Sequence, residues 1–179
     1  MISSVRFREV MAATPAPVTV VTTTADSKPA GATVSAFMSL SLEPTLVGVC
    51  LRRGSRLLDL IQARGVYGVN LLAEYQSEIA VNFAAQHLDR FASVRWTEDH
   101  GLPRLDDCAA WLACDVATVM GAGDHDIVIG RVTDAQCSTT PPLIYSHHQF
   151  GTNSSIRSNG PRRQAAGLAR FAYFDGAFY

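Results

Sequence analysis

A chain of 179 residues, 47% hydrophobic and 17% charged, is long enough for one packed domain and too apolar for a disordered one. A formal net charge of −1 argues against general affinity for nucleic acid or anionic membranes. No apolar run is long enough to span a bilayer, and Met1-Ile2-Ser3-Ser4-Val5-Arg6 lacks a signal-peptide core, so a cytoplasmic location is expected.

Residues 3 to 13 read as a short helix capped by Ser3 or Ser4, with Val5, Phe7, Val10 and Met11 on one face; Pro15 and Pro17 stop it. The β-branched run Val18 to Thr24 is a strand, and Asp26-Ser27-Lys28-Pro29 a turn. A second extended stretch covers Gly31 to Ser41 and a third Leu46 to Leu51. Arg52-Arg53-Gly54-Ser55-Arg56 interrupts the strands, and Ser55 can cap a helix buried through Leu57, Leu58, Leu60 and Ile61. Val66 to Asn70 is a strand, and Glu74 to Gln86 a helix with Ile79, Ala80, Phe83 and Ala84 as its apolar stripe. Residues 87 to 108 read mostly as loop with a short strand near Val94-Arg95-Trp96, and strands follow at Ala109 to Met120, Asp126 to Asp134 and Leu143 to Phe150. Seven or eight short strands without regular strand–helix alternation favour a mainly β fold, a closed barrel with helices over its openings.

The segment after Gly151 differs in composition. From Thr152 to Tyr179 it holds four arginines (157, 162, 163 and 170) against one acid, Asp175, and ends in Phe171, Tyr173, Phe174, Phe178 and Tyr179. Residues 1 to 151 therefore form one expected domain, and 152 to 179 a tail that is either flexible or packed on a second subunit.

Three segments could carry chemistry. Thr33, Ser35, Ser39 and Ser41 fall at period two along one extended face, a wall of small hydroxyls suited to the carbonyls and ring nitrogens of a flavin; a solvent-facing Ser/Thr strand is the plain alternative. Arg52 to Arg56 lies at a strand-to-helix junction, where helix amides and arginines attract phosphate; a solvated basic turn would look the same. Gly121-Ala122-Gly123-Asp124-His125-Asp126 turns sharply into a strand and sets His125 between two acids, where an imidazole could orient a nicotinamide amide or deliver a proton, or serve only the turn. Its Gly-x-Gly precedes a strand, so it is no dinucleotide fingerprint. His147 and His148 adjoin in the late strand and point opposite ways, and Cys50, Cys108, Cys114 and Cys137 show no zinc spacing, so no metal site is expected.

Taken in order, several segments resemble the short-chain flavin reductases, the reductase components of two-component flavin-dependent monooxygenases. They are Pro17 to Thr22, Thr33 to Pro44, Leu46 to Leu51, Val69 to Leu72, Gln76 to Ala80, Phe83-Ala84, Asp89-Arg90-Phe91, Gly123-Asp124-His125, Ile129 to Val132, Leu143-Ile144-Tyr145 and Phe150-Gly151. The resemblance implies a split β-barrel of the FMN-binding type, a Greek-key homodimer. It implies FMN or FAD along Thr33, Val34, Ser35, Ala36, Ser39, Leu40 and Ser41, with the phosphate end at Cys50, Leu51, Arg52, Ser55 and Arg56. Phe83, Ala84 and Phe91 would flank the flavin, Tyr145 would complete the binding set, and His125 would be the catalytic residue, bordering NADH or NADPH as co-substrate. Reduced flavin would diffuse to a separate monooxygenase. A non-catalytic flavin-binding protein on the same fold and a pyridoxine-phosphate-type oxidase are the rival readings.

Overall fold

The computed structural model describes residues 2 to 85 and 89 to 153, so the tail expected from 152 onward lies outside the described residues apart from its first two positions. Helix α1, Ser4–Ala12, begins where the Ser3 hydroxyl accepts a hydrogen bond from the Arg6 amide. The short strand β1, Ala16–Pro17, follows, then β2, Thr19–Ala25, and β3, Lys28–Val34, joined through Asp26 and Ser27 in the left-handed region. Then come β4, Phe37–Leu42, β5, Thr45–Arg52, α2, Arg56–Arg64, β6, Val66–Leu71, and α3, Ser77–Ala84. The described residues end in three hairpins: β7, Trp96–Asp99, with β8, Leu102–Leu105; β9, Ala110–Ala122, with β10, His125–Cys137; and β11, Leu143–Ser146, with β12, Gln149–Thr152.

Seven strands form one antiparallel sheet in the order β3-β2-β6-β9-β10-β5-β4. Its two outermost strands, β3 and β4, are consecutive in the chain and separated only by Ser35 and Ala36, so the sheet must curl until its ends meet. The Cys50 amide donates to the Ala36 carbonyl at 3.0 Å, extending the β4–β5 pairing into that link. The fold is the mainly β, split-barrel architecture expected from the sequence. Inside the barrel, Val21, Val49, Leu51, Tyr67, Val69, Cys114 and Val128 pack together, and α2 closes one side with Leu57, Leu58 and Ile61.

A second apolar cluster lies outside the barrel, where Val18, Val20, Leu72, Ala80, Phe83, Phe91 and Leu105 hold α3 and the β7–β8 hairpin to the sheet. Strand β2 is thus buried on both faces, which explains its unbroken β-branched run. Its buried threonines donate to carbonyls: Thr19 to Val34 at 2.6 Å, Thr22 to Pro103 at 2.7 Å and Thr23 to Val66 at 2.9 Å. Asn70 pins the hairpin from the sheet by donating to Val20 O and accepting from the Leu105 amide at 2.8 Å.

Three sequence expectations change. The extended stretch Gly31 to Ser41 is two strands, because the chain leaves the sheet at Ser35–Ala36 and re-enters on the opposite edge. The stretch read mostly as loop contains the β7–β8 hairpin, turned by His100 and Gly101 at positive φ. Leu143 to Phe150 is a hairpin rather than one strand: His147 and His148 form its two-residue turn, with φ 50° and 59°, and do not alternate across a sheet.

Candidate functional site

The barrel seam organises the expected residues into two groups. The first surrounds a cleft of about 560 Å³ between α3 and the β11–β12 hairpin. Thr33, Ser35, Ala84 and Tyr145 line it, as the sequence suggested, together with Val18, Ala80, Val81 and Ala85, and with His148 and Phe150. Small side chains on the outer face of α3 leave room for a flat ring, and Tyr145 and Phe150, 5.1 Å apart between centroids, supply an aromatic wall. The Thr33 hydroxyl donates to Ala80 O at 2.7 Å, so its oxygen can still accept, while Ser35 is exposed.

The second group lies at the far end of β5. Register pairing sets His125 opposite Arg52 on one side and Ala122 on the other. Ser55 caps α2 by accepting from the Leu58 amide at 3.4 Å. Arg53 is engaged, with its Nε 2.7 Å from an Asp126 carboxylate oxygen, whereas Arg52 and Arg56 are exposed and make no ion pair closer than 4 Å among the described residues. Asp124 reaches His125 Nδ1 at 2.9 Å. That hydrogen bond and the charge of the same ring hold the Asp124 carboxyl below the usual carboxylate range, with Arg52 adding a smaller pull. With Nδ1 engaged, Nε2 is the ring nitrogen left to meet a ligand. Burial pushes the Cys50 thiol up, so this part of the wall is neutral.

The two groups are joined through Ser35 and Ala36, whose backbone runs from the cleft to the amide of Cys50. A ligand with a ring at one end and phosphate at the other therefore has apolar walls and free arginines along one stretch of chain.

Not every expected residue joins this arrangement. Ser39, Leu40 and Ser41 lie on the edge strand β4, with Ser39 and Ser41 paired to Val47 and Leu46, several residues along β5 from Arg52; a bulge at Leu40 breaks the expected hydroxyl row. Val34 and Leu51 are buried in the barrel and offer only backbone. Phe83 and Phe91 stack edge to face at 4.9 Å in the outer core, where they back the cleft wall instead of facing the cleft.

Residues that the sequence did not assign to the site also line or brace the cleft. Arg90 donates to Gly31 O at 2.6 Å and Ala85 O at 3.0 Å, tying the end of α3 to β3. His148 and Phe150 were hidden because the hairpin turn carries no glycine to mark it. A separate cleft of about 380 Å³ beside Arg104, Cys108, Trp111 and Cys137 contains none of the expected site residues.

The comparisons with known proteins agree with this geometry. The model of the flavin reductase like domain matches residues 11–154. Flavin reductase (NADH) of Kitasatospora aureofaciens is 41% identical over 150 residues, covering 80% of this chain and 78% of that protein. A "Probable flavin reductase" of Rhizobium meliloti (strain 1021) is 40% identical over 137 residues, 75% of this chain and 44% of its own length. Because a second Rhizobium relative is covered over 61% of its length, the chain spans between about two fifths and two thirds of these two relatives. Among solved structures, flavin reductase PheA2 superposes with a TM-score of 0.79 at 35% identity, covering 84% of this chain and 98% of PheA2.

Proposed function

The chain belongs to the flavin reductase like domain family, and from that premise we propose that it is an NAD(P)H:flavin oxidoreductase, which passes hydride from a reduced nicotinamide nucleotide to FMN or FAD and supplies reduced flavin to a separate monooxygenase. The observation that carries this reading is the continuity of the ring-sized cleft with the Arg52 to Arg56 turn through Ser35 and Ala36. Bound flavin supplies the ring that accepts hydride.

The chain's residues bind and orient. Thr33 and Ser35 offer hydroxyls to a ring edge, Ala84 leaves space for the ring, and Tyr145 packs beside it. Arg52 and Arg56, with the capped start of α2 at Ser55, receive phosphate. His125, steadied by Asp124 through Nδ1, holds a proton or a nicotinamide amide at Nε2. The cleft is open to solvent on the side away from the barrel core, which suits a flavin that must leave after reduction.

The homodimer is part of the same proposal. Helix α1 buries none of its residues and exposes Phe7, Val10 and Met11 on one face, an apolar patch that a second copy would cover. The free state of all four cysteines supports a reducing, cytoplasmic setting. Residues 1 to 151 would be the catalytic unit.

NADH and NADPH oxidation, followed at their near-ultraviolet absorbance with and without added FMN or FAD, tests the activity. Turnover that depends on flavin is expected with at least one nucleotide. Its absence with every combination would end the reductase reading.

A further inference from the structure

We propose that His148 is a flavin-binding residue of the ring cleft, contacting the polar edge of the bound flavin ring; this rests on the flavin reading above. Three observations converge on it. First, pairing of Tyr145 with Phe150 and Ser146 with Gln149 leaves His147 and His148 as a two-residue turn with both φ values positive. Such turns favour Asn-Gly, since glycine adopts this backbone at no steric cost and histidine tolerates it only at some expense. Second, the two histidines differ in what they face. Both are exposed, but His148 lines the cleft that Ala84 and Ala85 also line, whereas His147 does not. Third, the His148 ring stands edge to face with Tyr145 at 6.5 Å, and no hydrogen bond or ion pair within the described residues engages its ring nitrogens.

The chemistry of the lining points to the ring rather than the phosphate. No Asp, Glu, Lys or Arg lines the cleft, so an imidazole is its strongest hydrogen-bonding group beside the hydroxyls of Thr33, Ser35 and Tyr145. A heteroaromatic edge of carbonyls and ring nitrogens complements that set. A histidine held in a turn that favours glycine, with its polar ring atoms unused by the described residues and facing a cleft, is placed to meet a ligand.

The test uses equilibrium binding of FMN and of FAD to the full chain, read by flavin fluorescence without nucleotide, together with thermal melting. His147→Gly and His148→Gly relax the same turn, but only the second removes a ring from the cleft. His147→Gly should bind like wild type. His148→Gly should bind about three- to tenfold more weakly, the loss of one net hydrogen bond, with a melting temperature no lower than wild type. His148→Asn, which tolerates the backbone and keeps a donor and an acceptor, should recover part of the loss. Unchanged binding in His148→Gly, equal loss in both glycine variants, or a loss that tracks a fall in melting temperature would overturn the proposal. Wild type that binds neither flavin would overturn it together with the flavin reading.

Discussion

Asp124 and His125 show how much one side-chain pair can say. The hydrogen bond between them favours the ionised carboxyl, so Asp124 titrates below its ordinary value of 3.8. A depressed folded-state value means that the pair contributes fully above the unfolded carboxyl's titration and is lost as pH falls through the folded one. Asp124 is fully exposed, so the contribution to stability is small and the consequence lies in where His125 points. Carboxyl carbon NMR should place the Asp124 midpoint below that of an ordinary aspartate, and in His125→Ala it should return toward 3.8. The same variant should lose about 100- to 10,000-fold in kcat/KM for the nicotinamide nucleotide if Nε2 meets that substrate. A midpoint unmoved by the substitution would remove the pairing, and wild-type kinetics would remove the catalytic role.

At the scale of elements, strand β6 is fixed by what surrounds Gly68. A Cβ there would come within 2.7 Å of the Thr22 hydroxyl, which donates to Pro103 O and accepts from Asn70 Nδ2. Both Thr22 and Asn70 are buried, so neither can move without abandoning a carbonyl. Gly68→Ala should therefore cost about 1–3 kcal/mol in urea unfolding, with native-like circular dichroism. A cost near zero would mean that the β2–β6–β8 junction yields more easily than its hydrogen bonds suggest. This junction also marks where the sequence was readable. Val18 to Thr24 announced β2 by β-branching, and Ser3 and Ser55 announced their helices by capping, because those signals are local. The break at Ser35–Ala36 and the turn at His147–His148 were not legible. The first follows from barrel closure, a property of the whole sheet, and the second puts residues with a Cβ where glycine is the usual sign. The site was legible in the same proportion: Thr33, Ser35, Ala84 and Tyr145 reach one cleft, but His148 could be seen only after the hairpin was.

On the scale of the whole molecule, the barrel leaves one helix unexplained by its own core. In α1 Phe7, Val10 and Met11 share one face and are between 46% and 55% exposed, Val5 falls on the other side, and no residue of the helix is buried. A nine-residue helix is marginal in water by itself, so its persistence calls for a surface against that face. The helix is tied to the barrel at its C-terminal end, where Ser146 donates to Ala13 O at 3.3 Å, and this fixes its position without covering it. In the proposed homodimer a second copy would cover this face, since each copy would bring the same patch to the contact. Replacing Phe7 and Val10 together by serine should then weaken dimerisation by at least about tenfold, as removal of two apolar anchors from an interface does. Sedimentation at several protein concentrations reads that shift directly. The barrel should keep its melting transition at high concentration, because neither residue touches the buried clusters around Tyr67 or Phe83. A wild-type chain that sediments as a monomer throughout would assign the face of α1 to some other partner, and a variant that still dimerises with full affinity would move the interface elsewhere on the barrel.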